Sequence, residues 1–381
     1  MDVRFSLRWS MGFLLGLACI LSGCARLHAL AGNATATPPT WALGLVGAGL
    51  GPGGVEGSYS GNGAQLAIEQ VNAHGGILWH GTRYQLATVF SGASAVSDRV
   101  RELLGHDPPI VALLGPDEND AAVAAMPLLA SAGLPTLTLA MASELTAPPQ
   151  NGGTPTILRL RPALTTWAAA LANYAVQSGG TFVLASEDDP YGHAGAAALA
   201  AAGPHPAAQV NVPPGMIDAT ASVSAILALH ASTVLCWGAE AEAATLLHAL
   251  HGAGWAGQFL VGAVDATFIA LAGRDAAGVV GGITWSPDLT DTASRQFTAA
   301  YVQRFGALPD EHAAALYDAV NLLSATLAQV GPDHAALLAA LLALPSTAGV
   351  AGTYRGTASG DLLAAPHLVN VQGTTVRLLG S

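Results

Sequence analysis

Trp41-Ala42-Leu43-Gly44-Leu45-Val46, followed by Gly61-Asn62-Gly63-Ala64-Gln65-Leu66-Ala67-Ile68-Glu69-Gln70-Val71-Asn72-Ala73-His74-Gly75-Gly76-Ile77, sets the folding pattern of the chain. The first segment is a short continuous apolar run, the signature of a strand buried on both faces. In the second, Ala64, Ala67, Ile68 and Val71 recur at helical spacing, with Gln65 and Glu69 on the opposite side. Gly75-Gly76 then stops the helix. Outward from this pair the alternation continues, with strands expected at residues 84–90, 110–114 and 136–139. Val96, Val100, Leu103 and Leu104 form one helix face, and residues 120–132 another helix.

The pattern restarts after Pro162. Helices are expected at residues 165–177, 192–202, 219–230 and 241–253, and strands at 181–185, 210–212, 233–237 and 259–261. Two α/β units result, residues 41–161 and 162–283, whose strand–helix alternation argues for parallel sheets with helices on both faces. A helix-rich part follows at 292–305, 311–330 and 335–344, and β-like runs close the chain at 367–371 and 375–379. No tandem repeat is present.

The 381 residues suffice for two domains with a core in each. Charged residues make up only 10% and hydrophobic residues 51%, but Ala and Gly supply the excess, which points to tightly packed helices rather than membrane spans. The net charge of −12 and the lack of any Lys/Arg cluster after Arg26 exclude an electrostatic footprint for nucleic acid. Acidity also opposes anionic membrane surfaces, which leaves small solutes and proteins as partners. Cys236, in the apolar run Val234-Leu235-Cys236-Trp237, is expected in the core, where a thiol packs as a small hydrophobe.

Residues 1–23 read as a secretion signal, with Arg4 and Arg8 ahead of an apolar run too short to span a bilayer comfortably. The run ends in Leu21-Ser22-Gly23-Cys24, which resembles the bacterial lipobox. Cys24 is therefore the expected lipidation site, holding the protein outside the cytoplasmic membrane on its acyl chains. Residues 24–40, rich in Ala, Gly, Asn, Thr and Pro, read as a tether.

The stretch from Gly61 to Ile77 resembles the first-helix signature of the branched-chain amino-acid (Leu/Ile/Val)-binding proteins, the extracytoplasmic receptors of ABC importers. Ala112-Leu113-Leu114-Gly115-Pro116, with Ala124-Ala125-Met126-Pro127 and Gly133-Leu134-Pro135 behind it, follows in that family's order. So do Asp188-Asp189-Pro190-Tyr191-Gly192, Ala272-Gly273 with Ala277-Gly278, and Ala315-Leu316-Tyr317-Asp318-Ala319-Val320. The resemblance spans residues 41–381 and implies the type 1 periplasmic binding protein fold, two Rossmann-like lobes joined by three crossings. It implies lobe 1 at 41–161 and 285–350 and lobe 2 at 162–284 and 351–381, with crossings at 159–164, 282–287 and near 350–355. It further implies a monomer that closes on a small-molecule ligand by hinge motion and is read by an ABC permease. A ligand-sensing or degenerate receptor lipoprotein without a transport role is the alternative reading.

In the resembled family, the loop after the third strand gives hydroxyls and backbone N–H groups to the ligand's carboxylate, as suits a helix start. Here that loop is Gly115-Pro116-Asp117-Glu118-Asn119-Asp120, and Asn119 falls where the family has a ligand-contacting Ser. Asp120 is either a pocket acid or a helix N-cap. The next loop, Leu139-Ala140-Met141-Ala142-Ser143, replaces the usual Thr with Met141 or Ala142, and the Ala140 carbonyl is left as an acceptor. Tyr191 matches the family's cleft tyrosine from the second lobe, Asp265 is the candidate partner for a ligand ammonium, and Glu56 and Tyr59 fall near an aromatic contact. Trp237 and Trp285 read as lobe packing or ligand stacking. The expected cleft is rich in acceptors and poor in donors, which favours a neutral or cationic ligand (an amide, a polyamine-like or an aromatic compound) over an ordinary α-carboxylate.

Enzyme readings are weaker. Gly49-Leu50-Gly51-Pro52-Gly53-Gly54 matches G-x-G-x-x-G, but a polar loop follows instead of a helix, and Phe90-Ser91-Gly92 supplies no acid for a ribose. His248 and His251 have metal-ligand spacing on one helix without an evident third ligand. No nucleophile elbow, P-loop or zincin motif is present. The chain is expected to be a binding protein without catalytic residues, metal or cofactor.

Overall fold

The computed structural model of the protein describes residues 38–47, 58–91, 93–146, 153–362 and 365–379. Cys24, the signal segment, the glycine-rich stretch at 49–54 and Glu56 lie outside the described residues. The first part of the chain runs β1 (Thr40–Leu45), α1 (Ser58–Ala73), β2 (Ile77–Trp79), β3 (Thr82–Phe90), α2 (Val96–Leu104), β4 (Ile110–Leu114), α3 (Asn119–Ala132), β5 (Thr136–Thr138) and β6 (Ile157–Arg159). Its six strands form one sheet in the order β2-β3-β1-β4-β5-β6. All pairs are parallel except the β2–β3 hairpin.

The second part runs α4 (Leu164–Gly179), β7 (Val183–Glu187), α5 (Pro190–Ala202), β8 (Ala208–Val212), α6 (Thr220–Ala228), β9 (Thr233–Trp237), α7 (Glu240–Gly252), β10 (Gln258–Ala263), α8 (Ala266–Ala272) and β11 (Val280–Ile283). Three helices and two hairpins follow: α9 (Thr292–Phe305), α10 (Glu311–Val330), α11 (His334–Leu342), β12 (Thr347–Ala348), β13 (Thr353–Tyr354), β14 (His367–Gln372) and β15 (Thr375–Leu378). The second sheet has the order β15-β14-β11-β10-β9-β7-β8, parallel except for the terminal strands β14 and β15.

Each sheet is apolar on both faces because each face is covered. Leu43, Leu114, Leu137 and Leu158 pack with α1, α9, α10 and α11, while Leu113 packs with Val100 of α2 and Ala125 and Leu129 of α3. Each such leucine is fully buried, worth about 1.5–3 kcal/mol by area. In the second lobe, α6, α7 and α8 cover one face, and α4 and α5 the other. Small residues permit the tightest approach. A Cβ added to Gly63 would lie 1.9 Å from the Ala313 carbonyl oxygen, so α1 and α10 can meet there only through glycine.

Two connections run between the sheets: β6 belongs to the first and α4 packs on the second, while β11 belongs to the second and Trp285 and Leu289 pack in the first. The third crossing is displaced. Residues 351–362 stay with the first lobe rather than entering the second at 351, because Ala351, Tyr354 and Leu362 belong to its core. Asp318 of α10 accepts from the N–H groups of Val350 and Ala351 (2.7 and 2.8 Å) and from the Tyr354 hydroxyl (3.0 Å), pinning the β12–β13 hairpin. Desolvation outweighs these bonds and raises the Asp318 carboxyl to about 6. Arg159, 1% exposed, then pairs with Asp361 at 2.7 Å, and the chain reaches the second sheet only at His367.

Candidate functional site

A cavity of about 300 Å³ lies between the lobes, at the carboxyl ends of β4, β5, β9 and β10. This is where strand-end loops and helix starts converge in open parallel sheets. The first lobe contributes Asp117, Glu118 and Asn119 after β4 and Leu139, Ala140 and Met141 after β5. Arg161 and Leu164 come from the first connection between the sheets. The second lobe closes the cavity with Trp167, Tyr191, Trp237 and Ala263. A wider mouth of about 870 Å³ runs between α3 and α5 and shares Glu118, Asn119, Leu164 and Tyr191 with the cavity.

The first-lobe loops are held by their own side chains. The Asn119 carboxamide oxygen accepts from the N–H groups of Met141 (2.8 Å) and Ala142 (3.0 Å). The N–H of Ala140 donates to Thr138 Oγ1 at 3.0 Å. From the other side, Arg159 donates to the carbonyls of Met141 (2.5 Å) and Ala142 (3.0 Å) and to the Thr146 hydroxyl. The backbone donors of the second loop, at Ala140, Met141 and Ala142, are thus already satisfied within the protein.

Arg161 is the cation of the cavity. Its Nη2 meets Glu311 Oε1 at 2.8 Å, and its guanidinium sits 5.5 Å from the ring centre of Trp167. Glu311 Oε2 accepts from the N–H and hydroxyl of Thr284, at 3.2 and 2.7 Å. Burial alone would disfavour the Glu311 charge, but Arg161, His312 and the Thr284 bonds outweigh it and hold the carboxyl below its usual range. One carboxylate at the start of α10 therefore ties the first connection, at Arg161, to the second, at Thr284. Desolvation pushes the Tyr191 phenol up to about 12, so it is a neutral hydroxyl at physiological pH. Its ring lies 6.3 Å from that of Trp237.

Of the residues singled out in the sequence, Asn119, Ala140, Met141 and Tyr191 meet in this cavity. Asp120 lies on the first turn of α3, in the outer mouth, and Glu118 rather than Asp120 holds the N-cap position. Asp265 is a helix cap: it accepts from the Phe268 N–H at 2.7 Å and is not among the cavity-lining residues. Trp285 is buried against Phe297 and donates to Ser294 Oγ at 3.0 Å, so it is packing. Cys236 is buried, its thiol raised to about 12 by desolvation. The expectation of a donor-poor cleft is corrected by Arg161 and by Trp237, which lines the site and whose buried indole Nε1 has no acceptor within the protein. Arg161 escaped the sequence reading because its ion-pair partner lies 150 residues away. Its one local signal is an Arg beside Pro162 at a lobe connection.

The two histidines of α7 find a third group in Asp275, which meets His248 Nδ1 at 2.5 Å and His251 Nδ1 at 3.3 Å. His248 Nε2 lies 3.1 Å from the Leu271 carbonyl, so both of its ring nitrogens are engaged within the protein. Among the described residues no His/Cys/Asp/Glu group is arranged to hold a metal ion. Among them, too, no helix is long and apolar enough to cross a membrane.

Two α/β lobes with a mixed polar and aromatic cavity at their facing strand ends define a solute-binding protein. The chain belongs to the periplasmic binding protein family, whose model matches residues 40–372. Its fold is similar to a branched-chain amino acid ABC transporter protein of Rhodospirillum rubrum, with a TM-score of 0.75 and 21% identity over 90% of this chain and 100% of that one. It is also similar to the branched-chain amino acid substrate-binding protein of Streptococcus pneumoniae in complex with isoleucine (TM-score 0.72, 18% identity, 89% and 99% covered). A third likeness is the solute-binding protein of R. palustris in complex with benzoate (TM-score 0.66, 18% identity, 90% and 96% covered). No curated protein sequence matches the chain significantly.

Proposed function

We propose that this chain is the extracytoplasmic receptor of an ABC importer, which captures an amino acid, an amide or a related small polar solute between its lobes. The carrying observation is the cavity itself, walled by both lobes and bearing polar groups from each. The ligand sites are Asn119, Ala140, Met141 and Tyr191, joined by Arg161 and Trp237. Lobe 1 comprises residues 41–161 and 285–362 and lobe 2 the remainder of the body. They close on the solute by hinge motion about the three connections. The closed form engages a membrane permease, and lipidated Cys24 keeps the monomer at the membrane surface. The role is binding rather than catalysis.

A thermal-shift screen of the full chain against amino acids, amides, polyamines and aromatic acids tests this. A solute at about 100 times its dissociation constant stabilises the folded state by about 2.7 kcal/mol, an unmistakable shift. If no compound of any class raises the melting temperature, the transport reading fails.

A further inference from the structure

Two residues of the cavity wall carry buried N–H groups with nothing to donate to. Trp237 is 1% exposed, yet its Nε1 has no hydrogen-bond partner, and the buried Nε of Arg161 has none either. Backbone covers the Trp237 ring: a Cβ on Gly195 would come within 2.3 Å of the indole and one on Gly262 within 3.4 Å. With backbone packed this close to its ring, the indole is better placed to give a hydrogen bond than a stacking face. Buried donors left in this state are costly and are normally satisfied by a partner from outside the chain.

Several neighbouring donors are spent. The N–H groups of Ala140, Met141 and Ala142 go to Thr138 and Asn119, and Trp167 Nε1 donates to the Gly262 carbonyl. Two acidic residues, Asp117 and Glu118, line the same cavity. The charge of Arg161 is already matched by Glu311. A ligand carboxylate would bring a further negative charge beside these acids without a free cation to meet it.

We infer that the cavity selects an uncharged carbonyl acceptor, a carboxamide, in a ligand of net zero or positive charge. The carbonyl oxygen accepts from Trp237 Nε1 and Arg161 Nε, and the amide or amino N–H groups face the carboxylates of the first-lobe loop. This inference rests on the solute-binding reading and narrows its ligand class.

The test is calorimetric and thermal-shift titration of the full chain with leucinamide and phenylalaninamide, the free amino acids leucine and phenylalanine, and the carbonyl-free amines 3-methylbutylamine and phenethylamine. An amide is expected to bind at least about tenfold more tightly than its acid and its amine, and Trp237→Phe to weaken the amide about tenfold while sparing the amine. Circular dichroism of the unliganded variant checks its folding. If Trp237→Phe does not fold, Arg161→Lys, which keeps the charge but lacks the Nε–H, carries the same test. Preferred binding of the amino acids, or amide affinity unchanged in both variants, overturns the carboxamide assignment and leaves solute binding intact. The absence of any binding across all probes overturns both.

Discussion

Glu311 joins Arg161 at 2.8 Å and also accepts from Thr284, so a single carboxylate couples the wall of the cavity to two of the lobe connections. Arg161 and Glu311 are 15% and 26% exposed, so the pair is partly screened but well short of solvated. Glu311→Gln leaves Arg161 uncompensated and is expected to cost about 2 kcal/mol in urea unfolding. Arg161→Met with Glu311→Gln should cost less than the sum of the single changes. Because the Glu311 carboxyl is held below its usual value near 4.5, its contribution is present above that pH and is lost as pH falls through the lowered value. The stability gap between the native chain and Glu311→Gln should therefore close on acidification. A gap that widens at low pH contradicts the pairing.

Asn119 occupies two backbone donors that could otherwise face a ligand. Asn119→Ala frees the N–H groups of Met141 and Ala142. The expected outcome is a loss of about 1 kcal/mol in stability and a several-fold gain in affinity for leucine, measured by calorimetry. Unchanged leucine binding would show that these donors are unreachable from the cavity.

Gly63 lies against the Ala313 carbonyl with no space for a methyl group. Gly63→Ala must push α10 from α1 or bend one of them, an overpacking cost of about 3 kcal/mol, read as a lower urea midpoint. Ala64→Gly, one position along, removes a buried methyl and is expected to cost less, about 1 kcal/mol.

The His248–Asp275 pair gives a pH signature away from the cleft. The Asp275 bond raises His248 above the ordinary histidine range, and the same bond lowers Asp275. His248 is 45% exposed, so the contribution is at most about 1 kcal/mol. For the histidine, this stability is fully present below its ordinary value and is lost as pH rises through the raised one. The melting-temperature difference between the native chain and His248→Gln should shrink from about pH 6 to about pH 9. A difference that is constant over that range contradicts the bond.

The parallel core was legible in the sequence because fully buried strands read as apolar runs, as at β1, β4 and β9. Strands β6 and β11, Ile-Leu-Arg and Val-Gly-Gly-Ile, are too short and too glycine-rich to carry a period, so they were not visible. The third connection was placed too early because residues 351–362 join the first lobe through isolated anchors (Ala351, Tyr354 and Leu362 in its core, Asp318 and Arg159 by polar contacts) that make no periodic pattern in the sequence. In the cleft, Tyr191 and the loop at 139–141 were found through the resemblance. Asp265 was read as a ligand partner although an Asp three residues before Phe268 also fits a helix cap, which is what it forms. The roles of Arg161 and Trp237 depend on partners distant in sequence, or on the lack of one, and only packing reveals them.

The most direct measurement is tryptophan fluorescence of the full chain titrated with a compound that raises its melting temperature, compared with Leu164→Trp. Leu164 lines both the cavity and its mouth, so the larger side chain blocks the space between the lobes. A saturable change in the native chain, from Trp167 and Trp237 in the wall, that is abolished in folded Leu164→Trp is the predicted result. Equal affinity in the two proteins would place the solute elsewhere and contradict the assignment of the interlobe cavity as the binding site.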